Sequence, residues 1–277
     1  MTTSLTTDDG IQLHLRHWPA TAAPARGQVL IVHGLGEHSG RYDHVAAAMN
    51  AQGWDVHAWD HRGHGQSGGP RGDIPGHDAL LRDTARVIDT LRRPGARFIL
   101  LGHSMGGLVA ARFAAEAMAL QPAAWSRRLD GLVLSSPALD AGLSGLQKLL
   151  LAVAGALAPG LAVSNGLKAE WISRDPAVVR AYEADPLVHD RITARLTRFI
   201  VDAGAFTVAT APRWKTLTLL MWAGADRCVA PRGSEAFAAG SPPNVVATRP
   251  WPGLSHEIFN EPEQAEVLKT LTDWLSR

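Results

Sequence analysis

The stretch RFILLGHSMGGLVAARFAAEAMAL, Arg97 to Leu120, decides how the rest of the chain is read. An apolar run, Phe98 to Leu101, is followed by an abrupt turn through Gly102-His103-Ser104-Met105-Gly106-Gly107 and then by an alanine-rich segment suited to a helix. In a strand, sharp turn and helix of this kind, the central residue is held in a strained backbone conformation that lifts its side chain clear of both elements. The residues two before and two after it must then be small. Gly102 and Gly106 hold those two positions. Ser104 is therefore the candidate nucleophile, with its backbone at a helix N-terminus where developing negative charge is favoured. G-x-S-x-G alone is a loose pattern, and it is the flanking strand and helix that give it meaning.

Working outward, the 277 residues with 46% hydrophobic content suffice for one large domain with room for an inserted subdomain. Net charge is +1 and the 27 basic residues are scattered, which leaves no electrostatic footprint for a nucleic acid. Cys228 is the single cysteine, so no internal disulfide forms and a reducing cytosol suits the chain. MTTSLTTDDG lacks a basic stretch followed by an apolar one, so the expected location is cytoplasmic. The most apolar window, Leu149 to Val163, is too short for a membrane span and contains Gly155, Pro159 and Gly160.

Upstream, Ile11, Leu13 and Leu15 alternate with polar residues after Asp8-Asp9-Gly10, which predicts an antiparallel hairpin at a sheet edge. Gln28 to His33 and Trp54 to Trp59 read as buried strands, with a helix over Tyr42 to Gln52 between them. The loop Asp60 to Gly76 contains G-x-G-x-x-G at Gly63, Gly65 and Gly68. No helix opens directly after these glycines, as a dinucleotide site requires, so the loop reads as a structured turn locked by Asp60 and Arg62. His77 to Arg92 is an amphipathic helix.

Downstream, Gly131 to Ser136 is a strand, and then the alternation stops. Residues 140–212 show no convincing strand and read as an inserted set of helices, one of them apolar nearly all round. In that one, Leu146, Leu150, Val153 and Leu157 follow helical spacing. Such a helix is either buried or touches lipid. Alternation resumes with Leu217 to Gly224, a helix from Arg232, a strand at Asn244 to Arg249 and a closing helix over Glu263 to Leu275. The organisation is thus core (1–139), insertion (140–212), core (213–277), in the α/β class with a mostly parallel sheet covered on both faces.

A serine hydroxyl needs a base to take its proton, and the base needs an acid to orient it. Sites in parallel sheets gather at the carboxyl ends of strands. Asp226 directly leaves the strand ending Gly224-Ala225, and His256 lies between the last strand and the closing helix. The chain order Ser104, Asp226, His256 is one in which such triads occur. Asp140, after the Gly131 to Ser136 strand, competes for the role of acid but sits further from its strand end. No H-E-x-x-H or comparable spacing supports a metal site. The tetrahedral intermediate needs two N–H donors; Met105 follows the nucleophile, and Leu35 is flanked by Gly34 and Gly36 after an earlier buried strand.

HGLGEHSGRY (His33 to Tyr42), DHRGHGQSGG (Asp60 to Gly69), GHSMGG (Gly102 to Gly107), DPL (Asp185 to Leu187) and GLSHEIFNEPE (Gly253 to Glu263) resemble the monoacylglycerol lipase and lysophospholipase-like branch of the α/β-hydrolases. The likeness spans nearly the whole chain and is weakest between Asp140 and Lys168. It implies an α/β-hydrolase fold whose insertion, after the sixth strand, is a helical cap over an acyl-chain tunnel, with no cofactor needed. The family's nucleophile, acid and base fall on Ser104, Asp226 and His256, and its oxyanion donors on Leu35 and Met105. The resemblance also implies that Glu37, Arg41 and Tyr182 lie at the polar end of the pocket, and the apolar cap adds Leu150 and Leu157 as candidate lipid contacts. One departure stands out. Mammalian members resemble H-V-L-H after the base, whereas this chain has His256-Glu257-Ile258-Phe259, without the second histidine that helps hold glycerol.

The function expected is hydrolysis of a small lipid ester, foremost a monoacylglycerol, through an acyl-enzyme, with transient membrane contact through the cap as the use of an exposed apolar helix. Lysophospholipase, short-chain carboxylesterase, thioesterase and peptidase are the enzymatic alternatives. A non-catalytic ligand sensor on the same fold is the alternative of a different class.

Overall fold

A computed structural model describes residues 2–21 and 23–277. β1 (Thr2–Thr6) and β2 (Gln12–Trp18) form the hairpin expected from the alternation of Leu13 and Leu15, turning at Gly10 with φ 86°. β3 (Gly27–Val32), α1 (Asp43–Asn50), β4 (Trp54–Trp59), α2 (Ala79–Leu91), β5 (Phe98–His103), α3 (Ser104–Glu116) and β6 (Gly131–Ser135) follow. The insertion comprises α4 (Gly145–Leu157), β7 (Ala162–Ser164), α5 (Pro176–Ala184), β8 (Arg191–Thr193) and α6 (Ala194–Thr210). β9 (Thr218–Ala223), α7 (Pro231–Gly240), β10 (Val246–Trp251) and α8 (Gln264–Leu275) close the chain.

The main sheet has the order β1-β2-β4-β3-β5-β6-β9-β10, parallel from β4 onward with β1 and β2 antiparallel at one edge. β3, β4, β5, β6 and β9 are buried at every position, which is why they read as unbroken apolar runs: helices cover both faces. Alternate residues divide between two cores. Leu30, Val32, Leu100, Leu132 and Leu134 pack with Ile88, Leu108 and Phe113 on the side of α2 and α3. Val29, Ile31, Ile99, Leu101 and Val133 pack with Val45, Met49, Val267 and Leu271 on the side of α1 and α8. β10 is the other edge, which is where a strand tolerates Pro250.

The Asp60 to Gly76 loop is locked as its charges suggested, though by two separate sets of bonds. Asp60 accepts from the Ser39 N–H, the Ser39 hydroxyl and the Gln66 N–H at 2.8, 2.6 and 2.8 Å. Arg62 instead donates to Asp83 and Asp9, pinning the loop to α2 and to the hairpin turn.

The insertion differs from the sequence reading in one respect: β7 and β8 pair antiparallel, Ala162 with Thr193 and Ser164 with Arg191. Strands of three residues are too short to display a period. α4 begins at a reciprocal cap, Ser144 Oγ accepting from the Gln147 N–H and Gln147 Oε1 from the Ser144 N–H. It packs against α6 and carries its apolar residues outward, with Leu146 67%, Leu150 58% and Leu157 82% exposed. Beyond α4, backbone bonds stitch the insertion to the core: the His189 N–H donates to Gly36 O at 2.9 Å, the Thr193 N–H to Gly72 O at 3.0 Å and the Glu257 N–H to Ile172 O at 2.8 Å. No helix among the described residues is long and apolar enough to cross a membrane.

Candidate active site

Ser104 is the first residue of α3 and one of two non-glycine residues with positive φ among those described, at 55°. The turn is sharp because α3 lies hard against the sheet. A β-carbon on Gly106 would run into the carbonyl oxygens of Val32 and His33, and one on Gly102 into the carbonyl of Gly106. Both small residues required by the motif are thus required sterically.

The elbow presents the Ser104 hydroxyl to His256, its Oγ 2.8 Å from Nε2, while Nδ1 of the same ring lies 2.6 Å from Asp226 Oδ2. The network assigns the tautomer: Nδ1–H donates to the carboxylate and Nε2 is left to accept from the hydroxyl. Asp226 follows β9 and His256 follows β10, so adjacent parallel strands deliver both at their carboxyl ends. The other Asp226 oxygen accepts from the Cys228 and Val229 N–H groups at 2.8 and 3.0 Å, which fixes the carboxylate in its plane. Burial alone would raise the Asp226 carboxyl, but His256 and these N–H donors hold it below the ordinary carboxylate value. Burial would lower the His256 imidazole. Asp226, and behind it Glu257 and Glu37, outweigh that and raise it above an ordinary histidine. Asp140 accepts instead from Arg232, with Nε 2.6 Å from Oδ2, and from the Gly142 N–H, tying the loop after β6 to α7.

The Gly34-Leu35 turn lies against the nucleophile: a β-carbon on Gly34 would come 3.1 Å from Ser104 Cβ. Glu37 Oε1 accepts from the Gly34 N–H at 2.6 Å and holds the turn. The Leu35 N–H donates to no protein group among the described residues, and Met105, second in α3, has its N–H at the open end of the helix. Both amides belong to elements that converge on Ser104.

A cavity of about 340 Å³ opens on Ser104 and His256, walled on one side by Leu35 and Glu37 and on the other by the insertion, from Asn165 to Asp190. Of the residues expected at its polar end, Glu37 and Tyr182 line it and Arg41 does not. Arg41 lies behind them, donating through both terminal nitrogens to Glu257 at 2.6 and 2.7 Å and to Glu37 at 2.9 Å, with its guanidinium 4.8 Å from the centre of the Tyr182 ring. Burial would raise the Glu257 carboxyl, yet Arg41 holds it down at about 2. Leu150 and Leu157 are not brought to this cavity; they lie on the outer surface of α4.

Next to Ser104 and His256 in the chain, two residues of the site escaped the sequence reading. His103 stacks obliquely on His256, ring centres 4.8 Å apart, with Nδ1 3.1 Å from Ser135 Oγ, and burial drops its pKa to about 4. Glu257 closes the ion cluster just described. Their one available signal was adjacency, since each is a chain neighbour of a triad residue. Phe259, where the mammalian pattern has its second histidine, is buried in the core with Ile258, so the polar function at that position is replaced by packing.

Residues 23–263 match the family described as serine aminopeptidase, S33. The chain is similar to a monoacylglycerol lipase of Mycolicibacterium smegmatis, at 37% identity covering 96% of this chain and 93% of that protein. It is also similar to phospholipase YtpA of Bacillus subtilis, at 32% identity over 87% of this chain and 92% of the other. Among solved structures, the monoacylglycerol lipase of Paleococcus ferrophilus matches with a TM-score of 0.84 and 34% identity, covering 95% of this chain and 98% of that one. With the elbow, the strand order and the site geometry in agreement, the chain belongs to the serine aminopeptidase S33 family of α/β-hydrolases, in the branch that holds the monoacylglycerol lipases.

Proposed function

We propose that this chain is a serine hydrolase that cleaves monoacylglycerols to fatty acid and glycerol through an acyl-enzyme. The observation that carries the reading is the continuous relay from Ser104 Oγ through His256 to Asp226, with bonds of 2.8 and 2.6 Å, opening on a cavity of about 340 Å³. His256 Nε2 takes the hydroxyl proton as Ser104 Oγ attacks the ester carbonyl. The negative charge that develops on the carbonyl oxygen is met by the Leu35 and Met105 N–H groups. Collapse breaks the bond to the alcohol, which leaves with the proton held by His256. Water then attacks the acyl-serine with His256 again as base, releasing the fatty acid and restoring Ser104.

The similarity to monoacylglycerol lipases supports the glycerol ester, and that to phospholipase YtpA supports a lysophospholipid as the second reading. An assembled relay supports turnover over a sensor role. In the same reading the insertion serves as a cap, the chain works in the cytoplasm, and the outward leucines of α4 dock it on lipid surfaces. The test is hydrolysis by purified protein of a panel of monoacylglycerols, lysophospholipids and short p-nitrophenyl esters, with a fluorophosphonate to trap the nucleophile. Stoichiometric labelling at Ser104 is expected, together with highest kcat/KM on monoacylglycerols. Labelling elsewhere overturns the mechanism, and preference for a lysophospholipid selects the second reading.

A further inference from the structure

Charge in this protein is balanced over the whole chain, at +1, but not inside the cavity at Ser104. Glu37, Glu183, Asp185, Asp190 and Glu257 line it, and Lys168 is the one lysine or arginine among the described residues that do. Lys168 shares its charge with Glu170 at 3.9 Å, a further acid. The two other lining histidines bring no compensating charge near neutral pH: burial pushes both His103 and His189 down to about 4. Arg41, behind the wall, offsets one of the two carboxylates it binds. Asp185 accepts from His38 Nε2 at 2.8 Å, Asp190 is paired with Arg191 at 3.4 Å, and Glu183 forms no ion pair among the described residues. The walls therefore keep an excess of negative charge, and a confined cavity with low-dielectric walls concentrates the field of that charge.

We propose that this cavity selects its substrates by the charge of the alcohol, accepting esters of neutral polyols and of cationic alcohols and refusing esters of phosphorylated alcohols. The proposal rests on ester hydrolysis at Ser104. It deepens that reading by placing anionic lysophospholipids outside the substrate class. Glu183 and Asp190 are its specificity-determining residues open to test, because both are exposed and neither belongs to the triad, the oxyanion turn or the Arg41 cluster.

The experiment compares three esters of one fatty acid below their micellar concentrations: 1-lauroylglycerol, 1-lauroylglycerol 3-phosphate and lauroylcholine. At low ionic strength, kcat/KM for the phosphate is expected to be roughly 100-fold below that for the glycerol ester, since like charges meeting in a confined site are strongly unfavourable. Lauroylcholine is expected to match or exceed the glycerol ester, and added salt to narrow the gap. The Glu183→Lys, Asp190→Lys double variant should raise the ratio of kcat/KM on the phosphate to that on 1-lauroylglycerol by about ten-fold or more. Glu183→Gln gives the smaller shift in the same direction should the double variant express poorly. Equal rates on glycerol ester and phosphate, or a ratio that charge reversal leaves unmoved, overturns the proposal. If no lauroyl ester is turned over, the butyryl series of the same three alcohols is measured; activity there with the same ranking keeps the charge selection and overturns the lipid reading.

Discussion

Arg41→Ala is expected to damage the fold more than it damages any one substrate's turnover. The guanidinium is the shared counter-ion of Glu37 and Glu257, whose side chains are 5% and 6% exposed, so its removal leaves two carboxylates facing one another out of water. Breaking a buried pair by deleting one partner costs about 3 to 5 kcal/mol. The direction of the Glu257 shift agrees: burial would raise this carboxyl, and the Arg41 guanidinium is the main group that holds it below the ordinary value. For a chain of this length a loss of that size lowers Tm by roughly 6 to 20 °C. The sign with pH follows from the same shift. A carboxyl depressed in the folded state stabilises it above the unfolded value and loses that contribution as pH falls through the folded one. The gap in stability between wild type and variant should therefore be widest near neutrality and shrink as pH drops from 4.5 toward about 2. Urea denaturation across that range measures it. Because Arg41 does not line the cavity, kcat/KM should fall in proportion on a monoacylglycerol and on the ethyl ester of the same acid. An unchanged Tm, with activity lost selectively on the glycerol ester, would refute the assignment and return Arg41 to the substrate.

Asp226→Asn should lower kcat by about 10⁴-fold through the wrong imidazole tautomer, while Asp140→Asn, which weakens bonds to Arg232 and the Gly142 N–H, should leave it within a few fold; steady-state kinetics on a soluble ester decides. The base must be neutral to act, and its pKa is raised by Asp226, Glu257 and Glu37. The acid limb of the kcat/KM profile should thus lie above the ordinary imidazole value of 6.5, and Glu257→Gln should move it to lower pH. Leu150→Glu with Leu157→Glu should leave Tm and short-ester activity intact and reduce vesicle binding, measured by flotation, because both leucines already face water. A large drop in Tm would instead place them in a packed interface.

What the sequence made legible was whatever depends on near neighbours. The elbow at Ser104 needed only Gly102, Gly106 and an apolar run, and Asp226 and His256, which hydrogen bonds join to Ser104 in the structure, could be singled out because both sit where strands end. The surroundings of Arg41 were not legible in the same way. Its bidentate partner Glu257 lies 216 residues away, and nothing local distinguishes an arginine that will bind substrate from one that will neutralise a buried acid. The orientation of α4 was hidden for a different reason. A helix apolar on nearly every side has no polar face to mark which way is out. The edge position of β10 could be read from Pro250, whereas β7 and β8 owe their pairing to tertiary placement.

The backbone stitches between insertion and core have a mechanical consequence. The His189 N–H holds Gly36 O, and Gly36 is the residue after Leu35, so the cavity wall and the oxyanion turn are joined by a single peptide-scale link. Gly36 has φ 77° and no room for a β-carbon beside His189 O, so the joint is tight as well as direct. A force that pulls residues 165–190 away from the core is thereby delivered to the Leu35 N–H, the donor proposed for the tetrahedral intermediate. α4 is under no such constraint, since among the described residues no backbone hydrogen bond ties 145–157 to the core. The insertion is in this sense two parts differently attached: an outer helix held by side-chain packing against α6, and an inner wall bonded through its backbone to the turn beside Ser104.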